Sequence, residues 1–184
     1  MSDTPALADL AATLAAFDVP TYDALPEIDL YMDQVISYLN RLLCRVCRSE
    51  DGAPLTPSMI NNYVKGGHVE RPVQKKYSRD RLAMLYMLCC LKQNLTISEA
   101  AALLDGTDDT AALFARFRAL QTETLRGLSA AVPPADADAD CLRETALRLS
   151  LHSAAERLLA EAIIAALPAE ADDAQSAKKQ KKAK

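Results

Sequence analysis

Residues 82–91, LAMLYMLCCL, form the longest apolar run of the chain. A helix built from this run is apolar on nearly every side, so other elements must enclose it. A membrane span needs roughly 20 apolar residues, about twice what the run supplies. We therefore expect a soluble protein without a membrane segment, in which this run is the central core helix.

The rest of the chain also favours helices. It has five glycines, no tryptophan and almost no alternation of apolar and polar residues, a pattern typical of an all-α fold. Helical periodicity predicts a helix over residues 27–48 and a C-terminal helical hairpin over residues 106–168. Residues 1–25 are expected to form an arm or a short amphipathic helix, and residues 169–184 a disordered basic tail.

Capping residues mark the shorter elements. Thr56 is predicted to cap a helix over residues 58–65, which ends at the Gly-Gly pair that follows because glycine adopts the left-handed conformation without steric cost. Pro72 excludes a helix from the next segment, which is expected to be two short strands or an irregular loop. Thr96 and Glu99 form a capping-box pattern that begins another short helix.

Basic side chains are concentrated in one region. The chain as a whole carries 25 acidic and 21 basic residues, but residues 55–92 hold seven basic residues against two acidic ones, a local net charge of +5. Basic side chains neutralise phosphates. The order of elements in this region, helix, short helix, basic extended segment and core helix, is that of a winged helix-turn-helix with a small wing. In such a domain the second helix can enter the major groove of double-stranded DNA.

We expect the short helix to read bases and the wing to hold phosphates. An asparagine side chain can pair with an adenine edge, whereas lysine and arginine side chains position a protein on the DNA backbone. Tyr63 is predicted either to contact that backbone or to pack. The residues predicted to bind DNA are Ser58, Asn61, Asn62, Tyr63, Lys65, His68, Arg71, Lys75, Lys76, Tyr77 and Arg79.

The stretch MINNYVKGG, followed by a proline-containing segment and YSRDRLAMLYMLCCLKQNLTISEAAALL, resembles the DNA-binding domain of MerR-type transcription regulators. The resemblance places Ile60 on a core leucine of that family and Tyr63 on its second tyrosine. It places Gly67 on the glycine that opens the wing and Tyr77 on the first residue of the Tyr-Ser pair that closes it. It implies a transcription regulator that binds double-stranded DNA as a homodimer.

Two positions differ from the MerR-type pattern. Asn61 stands where that family usually has an arginine, and Asn62 replaces its first tyrosine. The sequence is more similar still to a family of bacterial proteins described as a domain of unknown function, over roughly residues 26–104. We therefore assign residues 26–105 to the MerR-like winged helix-turn-helix domain.

Two other functions remain open. A protein-interaction adaptor would use the same surface, or the leucine-rich C-terminal helices, to hold another protein. A one-component sensor would bind an unidentified small-molecule effector between those helices. The predicted homodimer would instead bury their apolar stripe against a second subunit.

Few residues point to catalysis or to a metal. His68 and His152 are too few and too far apart for a site, and the sequence has no glycine-rich phosphate loop, so we expect neither an enzyme nor a cofactor. Cys44 and Cys47 have the spacing of a metal or redox pair, but they fall within a predicted helix, which favours buried structural cysteines over the alternative of a metal site. Five unevenly spaced cysteines favour a reducing cytoplasm over a disulfide framework.

Overall fold

The structure is a computed structural model that describes residues 7–47, 54–106 and 108–168. The predicted tail at residues 169–184 and the loop at residues 48–53 lie outside the described residues. The elements are α1 (Leu7–Ala15), β1 (Leu30–Tyr31), α2 (Met32–Leu43), α3 (Pro57–Lys65), β2 (Lys76–Tyr77), α4 (Arg79–Leu91), α5 (Ile97–Leu104), α6 (Thr110–Leu128) and α7 (Ala139–Ala165). Two short 3₁₀ turns lie in the connections: Tyr22–Ala24 between α1 and β1, and Ser129–Ala131 between α6 and α7. The prediction of a mostly helical protein is confirmed.

Helix α4 lies at the centre of the molecule, as its apolar sequence predicted. It packs against α2, α5 and α6, which together enclose it. The side chains that it buries are Leu82, Ala83, Leu85, Tyr86, Met87, Leu88 and Cys89. An apolar helix of this kind gains most of its stability from the area that its neighbours remove from water.

The helix predicted over residues 27–48 is shorter than expected. Leu30 and Tyr31 form β1 instead, which pairs antiparallel with β2 so that Leu30 lies opposite Tyr77 and Tyr31 lies opposite Lys76. Gln34 Oε1 accepts a hydrogen bond from the Tyr31 amide at 2.9 Å, which helps to set the start of α2 at Met32. Residues before β1 therefore lie outside the helix, and Arg48 lies outside the described residues.

Helix α6 belongs to the same core as α4. Phe114 is fully buried, and its ring packs edge-to-face against Tyr86 and Tyr22 with centroid distances of 6.0 and 6.3 Å. Arg118 of α6 forms an ion pair with Asp18 at 2.7 Å. One hydrophobic core therefore spans the predicted boundary between residues 105 and 106.

The C-terminal helices are predicted to pack on each other or on the core, and the structure shows them packed against other elements. Helix α6 packs against α4 and α1, whereas α7 packs against α5. The reason is that the apolar side chains of α6, including Leu113 and Phe117, are used by the central core. Within the described part of α7, only Thr145 and Ile164 are buried.

Candidate nucleic-acid interface

One face of α3 consists of exposed polar side chains. Ser58, Asn61, Asn62 and Lys65 are all exposed, and their i, i+3, i+4, i+7 spacing places them on the same side of the helix. We call these four residues the α3 stripe. Their side chains make no hydrogen bond or ion pair with any residue that the structure describes, so the stripe is free to bind an external partner.

Both ends of α3 are fixed by local interactions that the sequence predicted. The Thr56 hydroxyl accepts a hydrogen bond from the Met59 amide at 3.3 Å, and Pro57 occupies the first turn. At the other end, the amides of Gly67 and His68 donate to the carbonyls of Val64 and Tyr63, a Schellman motif, with Gly67 at a φ of +79°. The stripe therefore lies on a short helix with defined ends.

Buried contacts hold α3 against the core. Ile60 is fully buried and Tyr63 is 5% exposed, both on the side of α3 opposite the stripe. Asn40 of α2 forms two hydrogen bonds with the backbone of Leu55, just before α3 begins. Together these contacts orient the stripe away from the protein.

The basic segment after α3 contains a tight turn at Gln74 and Lys75. Val73 and Lys76 exchange two backbone hydrogen bonds of 3.1 and 2.9 Å across it. Gln74 and Lys75 have φ values of +49° and +66°, as in a type I′ turn, although neither is glycine. Both side chains are exposed at the tip, so the fold holds a strained backbone where it presents a cation.

Some of the predicted basic residues are paired within the protein. Arg81 contacts Glu70 at 3.0 Å. Arg79 lies over the Tyr22 ring, 5.5 Å from its centroid, and 3.8 Å from an Asp23 oxygen. Arg79 is predicted to hold a phosphate, and its contacts could not be foreseen because residues 22–23 are distant along the chain. Arg81 is not among the predicted DNA-binding residues.

Other basic residues remain available. Lys65, Arg71 and Lys75 are exposed, and none of them forms an ion pair within residues 7–47, 54–106 or 108–168. Lys76 is half-buried with its ammonium 5.1 Å from the Tyr31 ring centroid. The free charge therefore lies on α3, on the chain before the turn, and at the turn itself.

Tyr63 and Tyr77 require a correction. Both are among the predicted DNA-binding residues, with packing as the alternative for Tyr63, but they are 5% and 2% exposed and belong to the core. Burial raises the pKa of both phenols. The Tyr63 hydroxyl is buried and has no hydrogen-bond partner among the described residues. Their aromatic rings support α3 and β2 from inside, and neither ring is available to a phosphate.

His68 lies beside the α3 stripe. Its ring sits against Gly66, where an added Cβ would lie 2.9 Å from His68 Cδ2. His68, Asn62 and Lys92 line a cavity of about 340 Å³ next to α3. Lys92 is one of the seven basic residues of segment 55–92 but is not among the predicted DNA-binding residues, and it extends the polar surface beyond the stripe.

The cysteines divide between core and surface. Cys47 is buried, as predicted, Cys89 is buried as well, and Cys90 is partly buried. Cys44 is exposed, which corrects the expectation for the first cysteine of the pair. Across the described ranges, no group of three or more His, Cys, Asp or Glu residues is placed to hold a metal ion.

Comparison with known proteins identifies one family. A family model described as a domain of unknown function, DUF1836, matches residues 20–114. This match agrees with the predicted relationship to a family of unknown function and extends further in both directions; it gives no indication of a MerR-type domain. No curated protein and no solved structure is significantly similar to the chain. No helix in the described ranges is both long enough and apolar enough to cross a membrane.

Proposed function

Because the chain belongs to the DUF1836 family, whose model states no function, we propose one from the geometry of its own residues. We propose that the protein binds double-stranded DNA and regulates transcription. The α3 stripe is the observation that carries this proposal. Two adjacent asparagines on an exposed helix face, flanked by a serine and a lysine, match the hydrogen-bonding edges of bases in the major groove.

The unpaired cations supply the second part of the proposal. Lys65, Arg71 and Lys75 would neutralise backbone phosphates and hold the α3 stripe against the duplex. The type I′ turn supports this role because it fixes the position of Lys75 relative to β2. Arg79 and Arg81, which contact carboxylates, are assigned no phosphate in this proposal.

The resemblance to MerR-type regulators is consistent with this arrangement. Ile60, aligned with a core leucine of that family, is buried, and so is Tyr63, aligned with its second tyrosine. Gly67, aligned with the glycine that opens the wing, has a positive φ. We propose that α2, α3, the segment up to β2, and α4 act as a winged helix-turn-helix, with the turn at Gln74 and Lys75 as its wing tip.

A DNA-binding module of this kind commonly acts as a two-fold dimer. One exposed apolar face of α7 supports a dimer here. Leu147, Leu151 and Leu158 lie on one side of that helix and are 62%, 61% and 70% exposed. Ala154 and Ala155 lie between them, which would let a second helix approach closely. We propose that two α7 helices pack through this face, which we call the outer face of α7.

A protein-interaction adaptor is the second candidate, and a specific observation favours it. Ile28, Tyr31 and Val73 are 73%, 49% and 60% exposed. Tyr31 pairs with Lys76 across the sheet, and Lys76 pairs with Val73 across the turn, so two of these apolar side chains lie near the proposed wing tip. A protein partner would use such a surface more readily than DNA would.

Fluorescence anisotropy tests the proposal. The protein is titrated onto the DNA upstream of its own gene and onto a scrambled duplex, each at several salt concentrations. Lys65→Glu and Lys75→Glu should weaken binding to both duplexes, and each lost phosphate contact should reduce the slope of log K against log salt by about 0.9. Asn61→Ala and Asn62→Ala should weaken binding to the preferred duplex alone, by about 1–3 kcal/mol.

The matched control is Arg148→Glu, the same charge change on the exposed surface of α7. It should leave binding to both duplexes unchanged. Absence of DNA binding at low salt would reject the proposal. Capture of a protein partner that survives nuclease and high salt, and is lost with Val73→Asp, would favour the adaptor instead.

A further inference from the structure

A cavity of about 540 Å³ lies beneath α7, away from the proposed DNA-binding surface. It is a half-open cavity bordered by α1, by residues 128–133 and by α7 as far as Glu156. We call it the α7 cavity. Its volume falls in the range of pockets that bind small organic molecules. The apolar lining residues are Leu7, Leu10, Leu14, Leu128, Ala131, Val132, Pro133, Leu142, Ala146 and Leu149.

The polarity of this lining changes along α7. Leu142, Thr145, Leu149, His152 and Glu156 line the cavity from one face of the helix. The lining of α7 is thus mainly apolar toward its N-terminus and polar toward the end at Glu156. The rise of an α-helix separates Thr145 from Glu156 by about 16 Å. The cavity is therefore shaped for an elongated molecule with one apolar and one polar end.

The charge at the polar end selects the sign of the ligand. Glu156 is the one formally charged side chain among the described residues that line the cavity. It has no ion pair within those residues, whereas the neighbouring Arg157 contacts Glu161 at 2.7 Å. An ammonium group near Glu156 would be attracted to an unpaired carboxylate, and a carboxylate ligand would be repelled.

We propose that the α7 cavity binds an elongated, apolar organic amine, with its hydrocarbon body among the leucines of α1 and α7 and its ammonium group at Glu156. The α7 cavity and the outer face of α7 lie on opposite sides of the helix, so a bound molecule and a second subunit can be accommodated together. This inference is independent of DNA binding, because none of the residues that line the cavity belongs to α3 or to the turn.

Isothermal titration calorimetry with decylamine, decan-1-ol and decanoate tests the proposal at concentrations below micelle formation. The three probes share one hydrocarbon chain and differ in charge. We expect one saturable site, with decylamine bound about two- to fivefold more tightly than decan-1-ol and decanoate bound most weakly. Absence of a saturable site for decylamine, or equal affinity for all three probes, would overturn the proposal.

Variants locate the site. Glu156→Gln should remove the preference for decylamine over decan-1-ol, while decan-1-ol still binds. Glu144→Gln, outside the cavity, is the control and should change neither that preference nor the binding of decan-1-ol. Ala146→Phe should fill the cavity and abolish binding of all three probes; Leu149→Trp is a second filling variant, and thermal melts confirm that each is folded. Unchanged binding in a folded filling variant would overturn the proposal. A filling variant whose molar mass differs from that of the parent protein would also overturn the proposal, since the cavity would then be an interface between two copies.

Discussion

The side chain of Asn40 is hydrogen-bonded to both backbone groups of Leu55. Asn40 Nδ2 donates to the Leu55 carbonyl at 2.9 Å, and Asn40 Oδ1 accepts from the Leu55 amide at 2.8 Å. Leu55 is fully buried, so its backbone groups lie where water would not replace those bonds. The pair joins α2 to the chain that leads into α3, and so sets the direction in which α3 begins.

Asn40→Ala should therefore destabilise the protein by about 1–3 kcal/mol, because it leaves the buried amide and carbonyl of Leu55 without partners. Urea unfolding measures the change. Asn94→Ala is the matched control, since Asn94 is exposed and its side chain makes no hydrogen bond with a described residue. Equal stability of the two variants would show that the Asn40 bonds contribute little.

The turn at Gln74 and Lys75 allows strain and charge to be separated. Both residues have a positive φ, which costs a residue other than glycine about 1–2 kcal/mol. Gln74→Gly and Lys75→Gly should each stabilise the fold by about 0.5–1 kcal/mol, because the added flexibility of the unfolded chain offsets part of the gain.

The two variants should differ in DNA binding. Gln74→Gly keeps the charge of Lys75 and should keep the affinity, whereas Lys75→Gly should weaken binding to all duplexes. Thermal unfolding and anisotropy on the same samples measure both effects. A loss of affinity in Gln74→Gly equal to that in Lys75→Gly would mean that the shape of the turn, and not its charge, determines binding.

Leu151→Asp should convert the proposed dimer into a monomer. Leu151 is 61% exposed at the centre of the outer face of α7, and a carboxylate there would be buried against the second subunit. Light scattering coupled to size-exclusion chromatography gives the molar mass. Leu120→Asp on α6 is the control, because Leu120 is exposed to a similar degree, 57%, on another helix. A monomeric parent protein would contradict this prediction at once.

The cysteines should react with N-ethylmaleimide in an order set by exposure. Cys44 and Cys141 are exposed and should be modified first. Burial raises the pKa of Cys89 to about 12, so at pH 8 this thiol stays protonated and should react only when the protein unfolds. Timed labelling followed by peptide mass spectrometry gives the order. Modification of Cys89 as fast as Cys141 would show that the core around α4 opens readily.

Local patterns predicted the framework of the α3 stripe. Thr56, the glycine pair and the spacing of Ser58, Asn61, Asn62 and Lys65 act over a few residues, so periodicity and capping rules are sufficient. The capping box of Thr96 and Glu99 is confirmed for the same reason, with Glu99 Oε2 2.8 Å from the Thr96 amide nitrogen. Each of these interactions is complete within one turn of helix.

Interactions between distant segments could not be predicted in this way. β1 forms because Leu30 and Tyr31 pair with Tyr77 and Lys76, which follow them by about 46 residues in the chain. No local sequence pattern predicts such a pairing. The contacts of Arg79 with Tyr22 and Asp23 could not be predicted either, because those two residues are also far from Arg79 along the chain. Helical periodicity predicts one apolar stripe on the C-terminal helices, but a single sequence does not distinguish a face that covers a cavity from one that meets a partner.

The attachment of the N-terminal segment to α6 also affects when the protein can complete its fold. The Phe17 carbonyl accepts its hydrogen bond from Arg126 Nε, 109 residues later. During synthesis at 5–20 residues per second, Phe17 therefore precedes its partner by roughly 5–20 s. The apolar side chains of Phe17 and Val19 enter the finished core, so on a translating ribosome they are exposed longer than those of α4, and a chaperone would meet them first.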